Sequence, residues 1–220
     1  MAGLQEALVK LFQNETSLQY FTKIAEHIKI GPLLEELDAS PELWLADTSR
    51  QRKVRCQRNT RNIFLRAAKK PLPPGAKNAN DVHEIRIMPE AKKFPCMQVF
   101  CESVAKSLGG TLGRATLVAL MPGSQVFPHV DSGAYYRIRD RMHLVLKSTD
   151  GSLLGAGDET VLMHTGELWV FDNKQRHWAK NPSEELRVHL IFDVLPAQGR
   201  GFYTYLPEDP KPEKCFILRF

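Results

Sequence analysis

The chain has 220 residues, 43% hydrophobic and 25% charged, which are the proportions of a folded globular protein and exclude a disordered polypeptide. Its formal net charge of +5 attracts anions weakly; the densest basic stretch runs from Arg50 to Arg66, and nucleic acid is not expected as a partner. No apolar run approaches the roughly 18 to 20 residues of a membrane span, and the start lacks the basic-then-apolar order of a secretory signal.

In chain order, the first 40 residues carry helical periodicity. Leu4, Ala7, Leu8, Leu11 and Phe12 fall on one helix face. A second helix is expected from Thr16, with Tyr20, Ile24 and Ile28 on a common stripe, ended by Gly31-Pro32. A short helical turn, Leu33 to Leu37, precedes Pro41. Residues 1–43 are therefore expected as a helical extension packing on a core of residues 44–220. Within that core, Asn62 to Arg66 and His83 to Met88 look like strands. The Pro- and Gly-rich stretch from Lys69 to Asn80 between them is an exposed loop. Phe94 to Leu108 forms an amphipathic helix, with Pro95 tolerated in its first turn and Gly109-Gly110 as its stop.

The rest is a series of short strands: Arg114 to Met121, Arg141 to Lys147, Glu159 to Met163, Glu167 to Phe171 and Glu185 to Leu195. Such spacing points to an antiparallel sandwich or barrel. The expected class is mostly β with a helical N-terminal part (α+β), and a double-sheet jelly roll is among the architectures that fit. The four cysteines, Cys56, Cys96, Cys101 and Cys215, include no C-x-x-C pair, so free thiols in a reducing cytoplasm are expected rather than a zinc ribbon.

One group of residues carries chemistry. His129 and Asp131 are two positions apart, so in a strand they share a face. They follow Val126-Phe127-Pro128 and precede Ser132-Gly133, where a strand opens into a loop. His-x-Asp alone is a common triplet. It gains meaning from His177, which follows the strand-like Glu167 to Phe171 and a short turn. Two imidazoles and one carboxylate on one face of a metal leave the remaining positions open, the arrangement of non-haem Fe(II) oxygenases.

Arg187 lies ten residues beyond His177, in the otherwise apolar strand Leu186 to Val194, on the same face as His189 and Ile191. A buried arginine needs an anion. Its planar guanidinium suits the distal carboxylate of 2-oxoglutarate, and an internal Asp or Glu would serve it as well. Arg141 and His143 share a face in the same way, lining either a cavity or a solvent-facing sheet surface.

The string Arg137 to Leu144, the His129 motif before it, and Gly166-Glu-Leu-Trp-Val-Phe-Asp172 leading to His177 and Arg187 resemble the aspartyl/asparaginyl β-hydroxylase family. The resemblance covers about residues 110 to 195. It implies a double-stranded β-helix (jelly-roll) fold, Fe(II), 2-oxoglutarate as cosubstrate and O2. It also implies hydroxylation of an amino-acid, peptide or protein side chain, with release of succinate and CO2. It maps metal ligation onto His129 and His177, and cosubstrate contacts onto Arg141, His143 and Arg187, with Ser132 a further candidate. The vertebrate enzyme that names the family has no carboxylate ligand at the position of Asp131, whereas this chain has the full triad, like many bacterial relatives. The competing readings are a cupin-type metalloenzyme that does not use 2-oxoglutarate and a noncatalytic binding module.

Overall fold

The computed structural model describes residues 18–197 and 201–204. Two antiparallel sheets face each other as a jelly roll. The larger contains β1 (Phe21–Ala25), β2 (Thr60–Ala68), β3 (Ile85–Ile87), β4 (Thr111–Leu120), β6 (Asp140–Lys147), β9 (Leu168–Phe171) and β11 (Arg187–Leu195) in the order β1-β9-β6-β11-β4-β2-β3. The smaller contains β5 (Ser124–His129), β7 (Leu153–Ala156), β8 (Glu159–Leu162) and β10 (His177–Asn181) in the order β5-β10-β7-β8. This is the double-stranded β-helix implied by the family resemblance.

Strand alternation divides the larger sheet between two cores. Leu117 of β4, Met142 and Leu144 of β6, and Leu190 and Phe192 of β11 point outward. They bury against α1 (Gly31–Asp38) and α3 (Pro95–Ser107), which contribute Leu33, Leu37, Met97, Cys101 and Ala105, while the short α2 (Ser49–Lys53) falls between them in the chain. Side chains of this size contribute about 1.5 to 3 kcal/mol each when fully buried. The alternate residues, including Leu120, Val145, Trp169 and Phe171, point inward and meet Val126, Leu154, Ala156 and Ala179 of the smaller sheet. Both faces of the larger sheet are thus covered, and the polar residues on its inward face must serve a cavity rather than solvent.

The helix α3 begins at Pro95, where a missing N–H goes unnoticed. Its free backbone N–H groups at Cys96 and Met97 donate to the Glu36 carboxylate of α1, which caps it from a neighbouring element. It ends as expected, with Gly109 at φ 67° and the Gly110 N–H returning to the Ala105 carbonyl.

The N-terminal region differs from expectation. The stripe of Leu4 to Phe12 lies outside the described residues. The helix expected from Thr16 is replaced by β1, which pairs with β9 (Phe21 opposite Phe171, Thr22 opposite Val170). Ordinary strand alternation turns Phe21 inward and Ile24 outward, so apolar residues three apart reach opposite cores, and the register shifts between Lys23 and Ala25. Of the expected stripe Tyr20, Ile24 and Ile28 only Ile24 lies within β1, and sheet pairing overrides the helix-like spacing. Gly31-Pro32 opens α1 rather than closing a helix. Residues 21–25 pair into the larger sheet, and residues 31–38 pack on its outer face. Two further strands, β7 and β10, lie in stretches for which the sequence suggested no strand.

Candidate metal centre and its cavity

β5 and β10 are neighbours in the smaller sheet, and their register places His177 opposite His129. The two rings lie 4.2 Å apart between centroids. Each ring turns Nδ1 toward a backbone carbonyl two residues earlier, His129 to Phe127 at 2.8 Å and His177 to Gln175 at 3.0 Å. A carbonyl only accepts, so Nδ1 donates and Nε2 keeps its lone pair. Both Nε2 atoms converge on Asp131. The separation is 4.0 Å from His129 Nε2 to Oδ1 and 3.8 Å from His177 Nε2 to Oδ2. All three candidate ligand atoms lie within 4.8 Å of one another. The histidine tautomers and the spacing fit one divalent ion.

A second layer holds Asp131. Its backbone N–H donates to the Asn173 carbonyl at 3.1 Å, and Asn173 Nδ2 donates to its Oδ2 at 3.0 Å. Arg141 Nη1 donates to the same oxygen, while Arg141 Nε and Nη2 donate to the two oxygens of Asp193 at 2.9 and 3.2 Å. Burial opposes the charge on Asp131, but Arg141 and then His177 and His129 more than offset it and hold its carboxyl far below the ordinary range. Burial pushes His177 down to about 4 against the pull of Asp131. At neutral pH His177 is therefore a neutral imidazole and Asp131 a carboxylate, the protonation states a metal ion requires.

The triad opens into a cavity of about 560 Å³ that runs into the barrel. His143 of β6 and Arg187 of β11 line its buried end, with Phe171 and Ile191 beside them. Arg187 is 7% exposed, its Nε has no hydrogen-bond partner, and no carboxylate among the described residues pairs with it. Burial alone lowers its pKa to about 10. An unpaired guanidinium in this position is destabilising by several kcal/mol unless an anion enters. The internal salt bridge that was the alternative for Arg187 is absent among the described residues. At the other end the lining includes the half-buried Arg50 and the exposed Lys70 and Arg86, with Asp47 the single acid among them.

The expected site residues thus separate. His129, Asp131, His177, Arg141, His143 and Arg187 all reach the cavity. Arg141 has a different setting from the one expected, since its guanidinium is spent on Asp131 and Asp193. Ser132 does not line the cavity, because Asp131 takes the inward position and the chain leaves through Gly133. Asn173 and Asp193 were not singled out in the sequence. Asp193 was within reach, for it continues the Arg187, His189, Ile191 alternation and pairs directly with Arg141 across the strands. Trp178 lines the cavity beside His177 and packs on Gly155, where any Cβ would collide with its ring.

Fold and site together define a jelly-roll protein with a two-histidine, one-carboxylate cluster and, in the same cavity, a buried arginine that no carboxylate among the described residues pairs with. The sequence model of the aspartyl/asparaginyl β-hydroxylase family matches residues 76–196, more than half of the chain, and the chain belongs to that family. It is a 2-oxoglutarate-dependent hydroxylase. No curated protein sequence matches it significantly.

Among solved structures, a prolyl hydroxylase from Trichoplax adhaerens, in complex with a hypoxia inducible factor oxygen degradation domain peptide fragment, aligns at TM-score 0.54 and 14% identity. That alignment covers 90% of this chain and 91% of the other. A prolyl-4-hydroxylase from Pseudomonas putida aligns at TM-score 0.49 and 14% identity, over 90% of this chain and 100% of the other. A 2OG-Fe(II) oxygenase family oxidoreductase from Burkholderia pseudomallei aligns at 0.49 and 10%, over 83% and 100%. The first of these likenesses establishes the shared fold.

Proposed function

We propose that His129 Nε2, Asp131 and His177 Nε2 hold Fe(II), that Arg187 binds the distal carboxylate of 2-oxoglutarate, and that His143 is a second cosubstrate contact. The observation that carries this reading is Arg187, a buried guanidinium with no carboxylate partner among the described residues, in the same cavity as the triad. When bound, ferrous iron supplies the activation of O2 that places one oxygen atom in a substrate C–H bond and the other in succinate, with loss of CO2.

The protein's own contribution is positional. Asn173 and Arg141 aim Asp131, the backbone carbonyls of Phe127 and Gln175 aim the histidines, and Phe171 and Trp178 wall the site against water. The substrate is a side chain of an amino acid, peptide or protein, entering past Arg50, Lys70 and Arg86. Those cations favour one that carries a carboxylate, and the peptide complex of the Trichoplax neighbour illustrates how this fold admits a peptide. The free thiols of Cys56, Cys96 and Cys101 fit the reducing cytoplasm. Among the described residues no helix is long and apolar enough to cross a membrane.

Anaerobic addition of Fe(II) and 2-oxoglutarate tests the site. The expected result is a weak visible charge-transfer band that His177→Ala abolishes, and succinate release in air. Iron binding with neither band nor succinate would sink the reading.

A further inference from the structure

His189 takes no part in the site described so far. It lies two residues beyond Arg187 on β11, 1% exposed and outside the cavity lining, yet it faces the same interior as Arg187 and Ile191. Its Nδ1 is 3.1 Å from Nδ1 of His143, the ring that does line the cavity. The Nε2 atoms of both rings are buried without a partner. Burial first, and then the charge of Arg187, pushes both histidines well below their ordinary range, so both rings are neutral.

A contact between two neutral Nδ1 atoms holds one proton, which leaves two arrangements. In one, His189 donates from Nδ1, His143 accepts, and the proton of His143 sits on Nε2. In the other the roles reverse, and His143 presents a bare lone pair at Nε2. A carboxylate in the cavity repels that lone pair and accepts from an N–H, so an anion selects the first arrangement. The first arrangement exists only while His189 supplies its Nδ1–H.

We infer that His189 is a positioning residue for the cosubstrate: its Nδ1–H fixes His143 as the tautomer whose Nε2–H donates to a carboxylate of 2-oxoglutarate. This rests on the reading of the cavity as a 2-oxoglutarate site. A histidine that merely fills space would be replaced by leucine without consequence for the cosubstrate. A histidine that sets a tautomer would be replaced only by a side chain with a donor at the same place. Asparagine has one, since its Nδ2–H stands where the imidazole Nδ1–H stood.

The test uses the full chain loaded with Zn(II), which binds but does not turn over. Calorimetric titration with 2-oxoglutarate should show His189→Leu weakened by about tenfold or more, the worth of a charge-assisted hydrogen bond. His189→Asn should remain within about threefold of wild type on the same argument, with Zn(II) affinity unchanged in both. The double variant His143→Leu, His189→Leu should bind no more weakly than His143→Leu, because His189 acts through His143. Independently of any variant's folding, long-range 1H–15N spectra of the wild-type complex should show His143 protonated at Nε2 and His189 at Nδ1. Unchanged binding in His189→Leu, additive losses in the double variant, or His143 protonated at Nδ1 would each overturn the inference while leaving the cavity assignment intact. A wild-type protein that does not bind 2-oxoglutarate would overturn both.

Discussion

Arg187 brings a charge into the barrel that nothing in the described protein neutralises, and this sets function against stability at one position. Arg187→Met should weaken 2-oxoglutarate binding by about a hundredfold, the loss of a two-pronged charge-assisted contact. The same change should raise the stability of the ligand-free protein by about 1 to 2 kcal/mol, since an apolar side chain of similar length relieves an unpaired buried charge. Calorimetry and thermal melts check the two halves, and a variant that loses both affinity and stability contradicts the argument. Asn173 works differently, holding Asp131 through its backbone carbonyl and its side-chain amide. Asn173→Ala should reduce metal affinity about tenfold or more, as loss of an outer-layer partner does, with the fold retained. At this scale the sequence was most legible where one strand supplies the whole argument: alternation alone puts Arg141 and His143 on one face, and Arg187 with Ile191 on another. It was least legible where the partner lies across the sheet. Nothing local to Arg141 says that Asp193 of β11 sits directly opposite, or that Asp131 comes within reach of the same guanidinium.

Element by element, the division follows how far each one depends on its own residues. α3 was evident because its apolar stripe, its leading proline and its closing glycines all lie within one short stretch. β4, β6 and β11 were evident because alternation persists over eight or more residues. β1 was misread as helix because only its pairing with β9 determines its conformation, and β10 was missed because a metal-type histidine and a lysine interrupt its pattern. β1 nevertheless reaches the site. Phe21 is 2% exposed and stacks on Phe171 at 5.8 Å, and Phe171 meets the His177 ring at 5.2 Å. Phe21→Ala should destabilise the protein by about 3 kcal/mol through the cavity it leaves. It should also weaken metal binding measurably, whereas an equal loss of stability from Met97→Ala, in the outer core, should not.

Over the whole molecule, three buried neutral histidines, His143, His177 and His189, give stability a definite pH dependence. Each takes up a proton near 6.5 in the unfolded chain, while the folded values lie lower, at about 4 for His177. Below pH 6.5 the unfolded chain therefore binds protons that the folded one refuses, and stability falls with pH. Asp131, whose folded value is likewise lowered, acts with the same sign but only at more acidic pH, so this window belongs to the histidines. The metal-free protein should lose on the order of 5 kcal/mol between pH 7 and pH 5. A thermal midpoint that stays flat over that range would contradict the assignment of three neutral rings.

The two backbone carbonyls that orient His129 and His177 have one more consequence. The donor atoms of the proposed centre, two imidazole nitrogens and one carboxylate oxygen, contain nothing that prefers iron. By the ordinary order of divalent affinities such a donor set holds cobalt, nickel or zinc more firmly than ferrous iron. With Fe(II) as the proposed ion, which metal the site holds would then be decided by what the surrounding cell supplies, and a wrong ion would silence the site without disturbing the fold.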